Sequence, residues 1–263
     1  MVNQKVMVIV TTMHATDASI YRKMNLTTDA IIANQANACG FYTDDEKIRM
    51  YTTDTRGLSR NRNVAITQIP DDVEYVIFAD DDLIFVDAYE QLIYEEFKKL
   101  PRADAIKFNL QEISERKLSM KRIEKRKRAR LRDITSSGVC ALAIRKEALF
   151  KHGLFFRQYF GAGTEYYCGE DTIFLVEMLR KKLKLYLSPV CLAYIDQGES
   201  TWFRGYDEKY FKTAGMLLAV LYRRLAYVLA FRSAFRFSRR KKATLGFRAI
   251  LKCYWQGIKT YFH

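Results

Sequence analysis

The most constraining feature of this chain is the junction Tyr75-Val76-Ile77-Phe78-Ala79-Asp80-Asp81-Asp82-Leu83-Ile84-Phe85. Tyr75–Ala79 is β-branched and aromatic, the pattern of a strand buried on both faces. Three consecutive carboxylates between two apolar runs repel one another and resist burial. A turn tolerates Asp but does not need three of them. A divalent cation relieves the repulsion, and Mg²⁺ or Mn²⁺ favours carboxylate oxygens while leaving positions open for phosphate oxygens. The carboxyl end of a central strand is also where open α/β sheets bind ligands.

The surrounding pattern supplies such a sheet. Val6–Thr12, Ala30–Gln35, Ile48–Thr52, Tyr75–Ala79 and Ala105–Asn109 read as strands. Helical stretches at Leu58–Ile69 and Ala88–Leu100 alternate with them, which predicts βαβ units around a mostly parallel sheet. Val139–Arg145 and Leu183–Leu187 read as later strands, with helices over Lys146–Lys151 and Thr172–Lys182. From about Tyr210 the chain reads as helical, and neither Leu217–Leu221 nor Leu225–Phe231 has the ~20 apolar residues of a membrane span. The N-terminal run Val6–Val10 is too short for a signal-peptide core and reads as a first strand. Five scattered cysteines without CxxC spacing fit reduced thiols in a cytosolic protein, and fit neither a disulfide framework nor a zinc site.

Charge is unevenly distributed. Of the formal net charge of +14, residues 116–132 contribute +9 and residues 204–263 contribute +12, leaving an acidic remainder. The segment 116–132 reads as a solvated excursion. The tail interleaves basic residues with Phe231, Phe235, Phe237, Phe247 and Trp255, the pattern of a basic amphipathic helix on an anionic membrane surface. Packing back onto the domain accounts for the same apolar residues.

Three further clusters carry chemistry. In Arg56-Gly57-Leu58-Ser59-Arg60-Asn61-Arg62-Asn63 a glycine turn opens a helix, offering backbone N–H groups and guanidinium forks to phosphate. Gly169-Glu170-Asp171 opens another helix. Acids there are favoured by the helix dipole, and behind the Gly-aromatic loop Phe160–Tyr167 they are candidate general bases for a sugar hydroxyl. Gly198-Glu199-Ser200-Thr201-Trp202-Phe203 ends in aromatics that either stack on sugars or plug the core.

In order and content, RGLSRNRN, FADDDLIF, FGAGTEYYCGED and GESTW resemble family 2 glycosyltransferases of the GT-A fold, over roughly residues 5–205. The resemblance implies a GT-A domain over 1–205, with the basic insertion 116–132, followed by a helical extension over 206–263. It implies that Asp80 and Asp81 lie near the nucleotide and that Asp82, with Asp80, binds Mn²⁺ or Mg²⁺ in a DXD motif. Asp171 is then the base, with Glu170 beside it, and Thr12, Gln35, Arg56 and Arg60 line the donor pocket. Gly163 and Trp202 are acceptor-side candidates. Many relatives carry a His before the STW-like segment; here Tyr194-Ile195-Asp196-Gln197 offers only Asp196, a hard oxygen ligand. The QxxRW signature of processive synthases is absent, which favours single addition.

The implied activity is inverting transfer from a nucleotide-sugar, UDP-linked by resemblance, to a saccharide or lipid-linked saccharide in cell-surface polysaccharide synthesis. The expected location is the cytoplasm, peripheral on the inner face of the membrane. Two other classes remain open: a basic nucleic-acid binder and a non-catalytic membrane-surface module. Competition by DNA against anionic vesicles separates them. No nucleic acid is expected as partner, because plain binding gives the acidic clusters no use.

Overall fold

The computed structural model describes residues 5–44, 47–113, 122–135, 137–196, 205–239 and 245–262. The Gly198–Phe203 loop with Trp202, and residues 116–121 of the basic insertion, lie outside the described residues.

The strands are β1 (Lys5–Met13), β2 (Asp29–Gln35), β3 (Gly40–Asp44), β4 (Ile48–Thr53), β5 (Val73–Asp80), β6 (Leu83–Phe85), β7 (Ala105–Glu112), β8 (Lys127–Arg128), β9 (Leu142–Arg145) and β10 (Leu185–Ile195). The helices are α1 (Ile20–Lys23), α2 (Leu58–Thr67), α3 (Tyr89–Lys99), α4 (Leu131–Ile134), α5 (Lys146–Lys151), α6 (Glu170–Arg180), α7 (Glu208–Tyr222), α8 (Ala226–Ser238) and α9 (Phe247–Phe262). The sheet order is β3-β4-β2-β1-β5-β9-β7-β10-β6, with β8 on β10. β4, β2, β1 and β5 run parallel, as the strand–helix rhythm predicts. Beyond β5 the sheet is mixed, because β9 lies antiparallel between β5 and β7 while β7 and β10 pair in parallel. The exposed edge strand β3 and the antiparallel β6 are additions to the sequence reading.

Strand alternation divides the core into two layers. Met7 and Ile9 of β1, with Val76 and Phe78 of β5, face α2, α5 and α6. Val6, Val8, Val10, Tyr75 and Ile77 face α3, where Tyr89, Ile93 and Phe97 stand one helical turn apart. Helices on both faces explain why these strands read as unbroken apolar runs.

The basic segment departs from the solvated excursion expected of it. From Arg122 to Arg132 it is strapped to the sheet. Asn109 bonds the backbone of Ile123 in both directions, β8 pairs with β10, and Lys127 meets Asp133 at 2.6 Å. Arg126 makes a two-pronged bond to the buried Glu96, 2.7 Å on each oxygen. Burial would raise the Glu96 pKa, but bonds from Arg126, Ser188 and Lys99 pull it down to about 2.

The C-terminal helices form their own core around Phe211, Ala219, Ala230, Ile250 and Tyr254. α7 and α9 cross at Gly215 and Gly257, where a Cβ on either glycine would run into the other helix's backbone. α7 also joins the main domain. Met216 packs with Phe160, Tyr166 and Ile173, and Arg180 donates to the terminal carbonyls of Val220 and Leu221 at 3.0 and 2.7 Å. Glu208–Ser238 as a continuous stretch is long and apolar enough to cross a membrane by length and composition, although its two halves read separately are not.

Candidate functional site

A cleft of about 2160 Å³ opens along the carboxyl ends of β1, β2, β5 and β7. Register brings its polar groups together. β1 and β5 pair so that Thr11 stands opposite Asp80. Thr11 Oγ1 donates to Asp80 Oδ1 at 2.7 Å, and Thr12 Oγ1 donates to Asp81 Oδ2 at 2.6 Å. The hydroxyls of one strand end therefore hold the carboxylates of the next.

The residue that organises the site is Arg62. Its side chain is 1% exposed and lies over the Phe156 ring, 5.0 Å from the centroid. One guanidinium nitrogen donates to Asp80 Oδ1 at 2.9 Å and the other to Asp171 Oδ1 at 2.5 Å. Burial disfavours the guanidinium charge, but Asp171 and Asp80 more than restore it. For Asp80 the balance is similar. Burial pushes its pKa up, and the charge of Arg62 with bonds from Thr11 and Cys140 takes it below the ordinary value. Cys140, a neutral thiol whose pKa burial raises, donates to Asp80 Oδ2 at 3.1 Å.

Asp80, read as a cation ligand with Asp82, accepts from Thr11, Arg62 and Cys140 on its two oxygens. Much of the repulsion predicted at the strand end is relieved by a cation of the chain itself. Asp82 lines the cleft, and its carbonyl accepts the Asp196 N–H at 3.0 Å, which sets the two residues side by side. Among the described residues no group of three His, Cys, Asp or Glu is arranged to hold a metal ion. Two carboxylates beside an open cleft form a hard-oxygen donor set that fits a divalent cation only if other oxygens complete its shell.

Asp171 is placed by α6 and held on both oxygens, since Val139 N–H donates to Oδ2 at 3.1 Å opposite the Arg62 bond. Its side chain is 23% exposed. Glu170 differs. Its Oε2 is buried without a hydrogen-bond partner among the described residues, and its carboxyl packs beneath Gly161. Burial, reinforced by the neighbouring Asp171 charge, raises its pKa to about 8. Around neutrality Glu170 therefore keeps its proton. Lys107, also buried in the floor, donates to the Cys140 carbonyl, and burial lowers its pKa. Ala141, which follows Cys140 into β9, takes up a left-handed φ of 58°, a conformation costing an alanine ~1–2 kcal/mol.

The RGLSRNRN segment forms the start of α2, and most of its polar side chains point inward. Ser59 bonds Phe160 O, Asn61 bonds Thr12 O and Ala33 O, and Asn63 pairs with both backbone groups of Phe156. Gly57 sits at φ 113° against the Gly161–Thr164 loop, where a Cβ would lie 2.8 Å from Thr164 Cγ2. Leu58 N–H donates to Ala162 O at 3.0 Å, so the helix N-terminus is partly closed by that loop and not wholly open to phosphate as expected. Thr12, Gln35, Arg56, Asp81 and Gly163 line the cleft, and Gln35 donates to Gly57 O. Arg60 does not. It is exposed and is not among the cleft-lining residues. Arg62, read with Arg60 as a guanidinium fork for phosphate, instead turns inward to Asp80 and Asp171. The spacing of Ser59, Arg62, Asn63 and Ile66, on one helical face, carried that signal.

Comparison with known proteins agrees with this architecture. Residues 27–155 match the sequence profile of Glycosyl transferase family 2. No curated protein matches the chain. Among solved structures, S. aureus TarS 1-349 in complex with UDP-GlcNAc has a similar fold, with a TM-score of 0.63 at 15% identity over 90% of this chain and 74% of that one. The same protein in complex with UDP gives 0.61 at 14% identity over 97% and 81%. A longer S. aureus TarS structure gives 0.60 at 15% identity, with 90% of this chain matching 44% of that one. At such identities the likeness is one of fold, that of GT-A glycosyltransferases.

Proposed function

Residues 27–155 are a family 2 glycosyltransferase segment set in a GT-A fold, and from that premise we propose a single-addition, inverting transfer of a sugar from a UDP-linked donor to a saccharide hydroxyl. The acceptor is a saccharide, free or lipid-linked, in cell-surface polysaccharide synthesis. The observation that carries this reading is the bridge Asp80–Arg62–Asp171, which ties a diphosphate-side strand end to a base-side helix start across one cleft. The UDP-GlcNAc and UDP complexes of TarS support a UDP-sugar as the donor class. Plain nucleic-acid binding would leave this buried constellation without a use.

In the proposed mechanism Thr12, Gln35 and Arg56 line the nucleotide side, and Asp80 and Asp81 are fixed by Thr11 and Thr12. Asp82 with Asp196 would hold Mg²⁺ or Mn²⁺, which when bound offsets negative charge on the departing nucleoside diphosphate. Asp171 takes the proton of the acceptor hydroxyl as that oxygen attacks the anomeric carbon opposite the leaving group. Arg62 and Val139 N–H fix the Asp171 carboxylate in advance, so little reorganisation accompanies the step. Protonated Glu170 keeps a second negative charge away from it. The test is a nucleotide-sugar hydrolysis and transfer screen with and without Mn²⁺. Activity with a UDP-sugar that Asp171→Asn abolishes supports the reading; near-normal transfer by that variant refutes it.

A further inference from the structure

The outer face of α8 has no use in the chemistry above. Its inner face is Ala226, Ala230 and Ala234, a small-residue stripe packed into the C-terminal core. Its outer face is Val228, Phe231 and Phe235, continued by Leu225 just before the helix, with Leu225, Val228, Phe231 and Phe235 exposed by 65%, 67%, 54% and 46%. These positions follow helical spacing, so they form one ridge. Phe247, at the start of α9, extends the ridge, with its ring centroid 5.4 Å from that of Phe231. Large side chains turned outward and alanines turned inward are the reverse of what a water-facing helix needs.

Charge identifies the occupant. Arg224, Arg232, Arg236 and Arg239 are all exposed around this ridge, and Arg239 lies over the Phe235 ring at 4.0 Å. From Lys209 to His263 the sequence contains no Asp or Glu. An apolar ridge flanked by arginines, in a stretch of sequence without acids, matches the headgroup and acyl boundary of an anionic bilayer. A spanning arrangement fits less well. Arg223 breaks the stretch (φ 51°, ψ −128°) into α7 and α8 of 15 and 13 residues, each ~20 Å long against a hydrocarbon core of ~30 Å. α7 is also committed along its length to α9 and to the cleft-side loop.

We propose that α8, extended by Phe247, is an in-plane docking helix for anionic lipid. Through α7, which packs Met216 and Leu217 against Phe160, Tyr166 and Gly169, the docked helix is joined to the loop beside Asp171. The proposal names the surface on which the proposed transferase works, but its test does not depend on that activity.

The full chain is sedimented with phosphatidylglycerol/phosphatidylcholine vesicles and with phosphatidylcholine alone, and UDP binding is measured separately. Wild type is expected to sediment with the anionic vesicles only, and to be released by salt. Val228→Asp/Phe231→Asp and, separately, Arg232→Gln/Arg236→Gln/Arg239→Gln are expected to lose at least tenfold in vesicle affinity, with UDP binding unchanged. Should either variant fold poorly, an environment-sensitive dye on Val228→Cys, in a Cys39→Ser background, gives a second measurement; its emission is expected to shift to the blue on anionic vesicles only. Equal binding by wild type and variants, or equal sedimentation with neutral lipid, overturns the proposal. Resistance to alkaline carbonate extraction overturns it in favour of a span. A wild-type dimer that Val228→Asp/Phe231→Asp converts to monomer, without change in vesicle binding, overturns it in favour of a second copy.

Discussion

Replacing Arg62 by methionine removes the guanidinium that bridges Asp80 and Asp171 while preserving a long apolar contact with Phe156. Breaking a fully buried ion pair by deleting one partner costs ~3–5 kcal/mol, because the remaining charge is left uncompensated. Here the arginine is 1% exposed but its partners are 32% and 23% open to the cleft. Both keep other donors, Thr11 and Cys140 on Asp80 and Val139 N–H on Asp171. The expected loss is therefore lower, ~2–3 kcal/mol, which at ~2–4 °C per kcal/mol lowers the melting temperature by about 5–10 °C. The effect has a pH signature. The Asp80 pKa is depressed in the fold, so its contribution to stability is present above the ordinary value of 3.8 and is lost as pH falls through the lower folded value. Without Arg62 the Asp80 carboxylate protonates more readily. The gap between wild type and variant then narrows as pH falls below 3.8, where the wild type loses the Asp80 contribution. Urea unfolding of both proteins at a series of pH values measures this, and Arg62→Met/Asp171→Asn should recover part of the loss. A gap below ~0.5 kcal/mol, or one that does not change with pH, would refute the assignment of Arg62 as the charge bridge.

Further outcomes follow from the same geometry. Asp171→Asn should lower transfer turnover by ~10²–10⁴, the contribution of a general base, with UDP affinity retained in a direct binding assay. Glu170→Gln should match wild type below about pH 4.5, where the native carboxyl is protonated in the folded and the unfolded chain alike, and gain on it as pH rises from there. Its pKa is raised from 4.5 to about 8, so the native contribution is full below 4.5 and is lost as pH rises through 8. The glutamine variant should therefore be the more stable protein above pH 8, by thermal melts across that range. Gly57→Ala should destabilise by ~1–3 kcal/mol and depress activity, since the φ of 113° is strained for alanine and the Cβ meets Thr164; the check is thermal melting alongside turnover. EDTA should abolish transfer and leave the melting temperature nearly unchanged, since two carboxylates beside an open cleft hold a cation weakly until donor is bound.

Much of the parallel half of the sheet was legible in the sequence because each strand is a local apolar run and each helix has its own period. The direction of β9 was not legible, since antiparallel insertion between β5 and β7 is decided by long-range pairing. The strand-end acids and Gly169-Glu170-Asp171 stood out as charges in apolar or glycine-rich surroundings, and the fold brings them together. Arg62 was obscured by Arg56 and Arg60. Which of three arginines turns inward depends on helix phase, and Ile66 one turn on was the available marker. Lys107 sits in a strand between Ile106 and Phe108, and nothing local distinguishes it from a sheet lysine facing water. The outward ridge of α8 was visible as composition, but its exposure depends on which face α9 covers.

The most direct test of the central claim is calorimetric titration of UDP and of a UDP-sugar into the full chain, with and without Mn²⁺. Binding in the cleft is expected to strengthen with Mn²⁺, weaken in Asp82→Asn and persist in Asp171→Asn. Failure of the wild-type chain to bind any nucleoside diphosphate with metal present would contradict that claim.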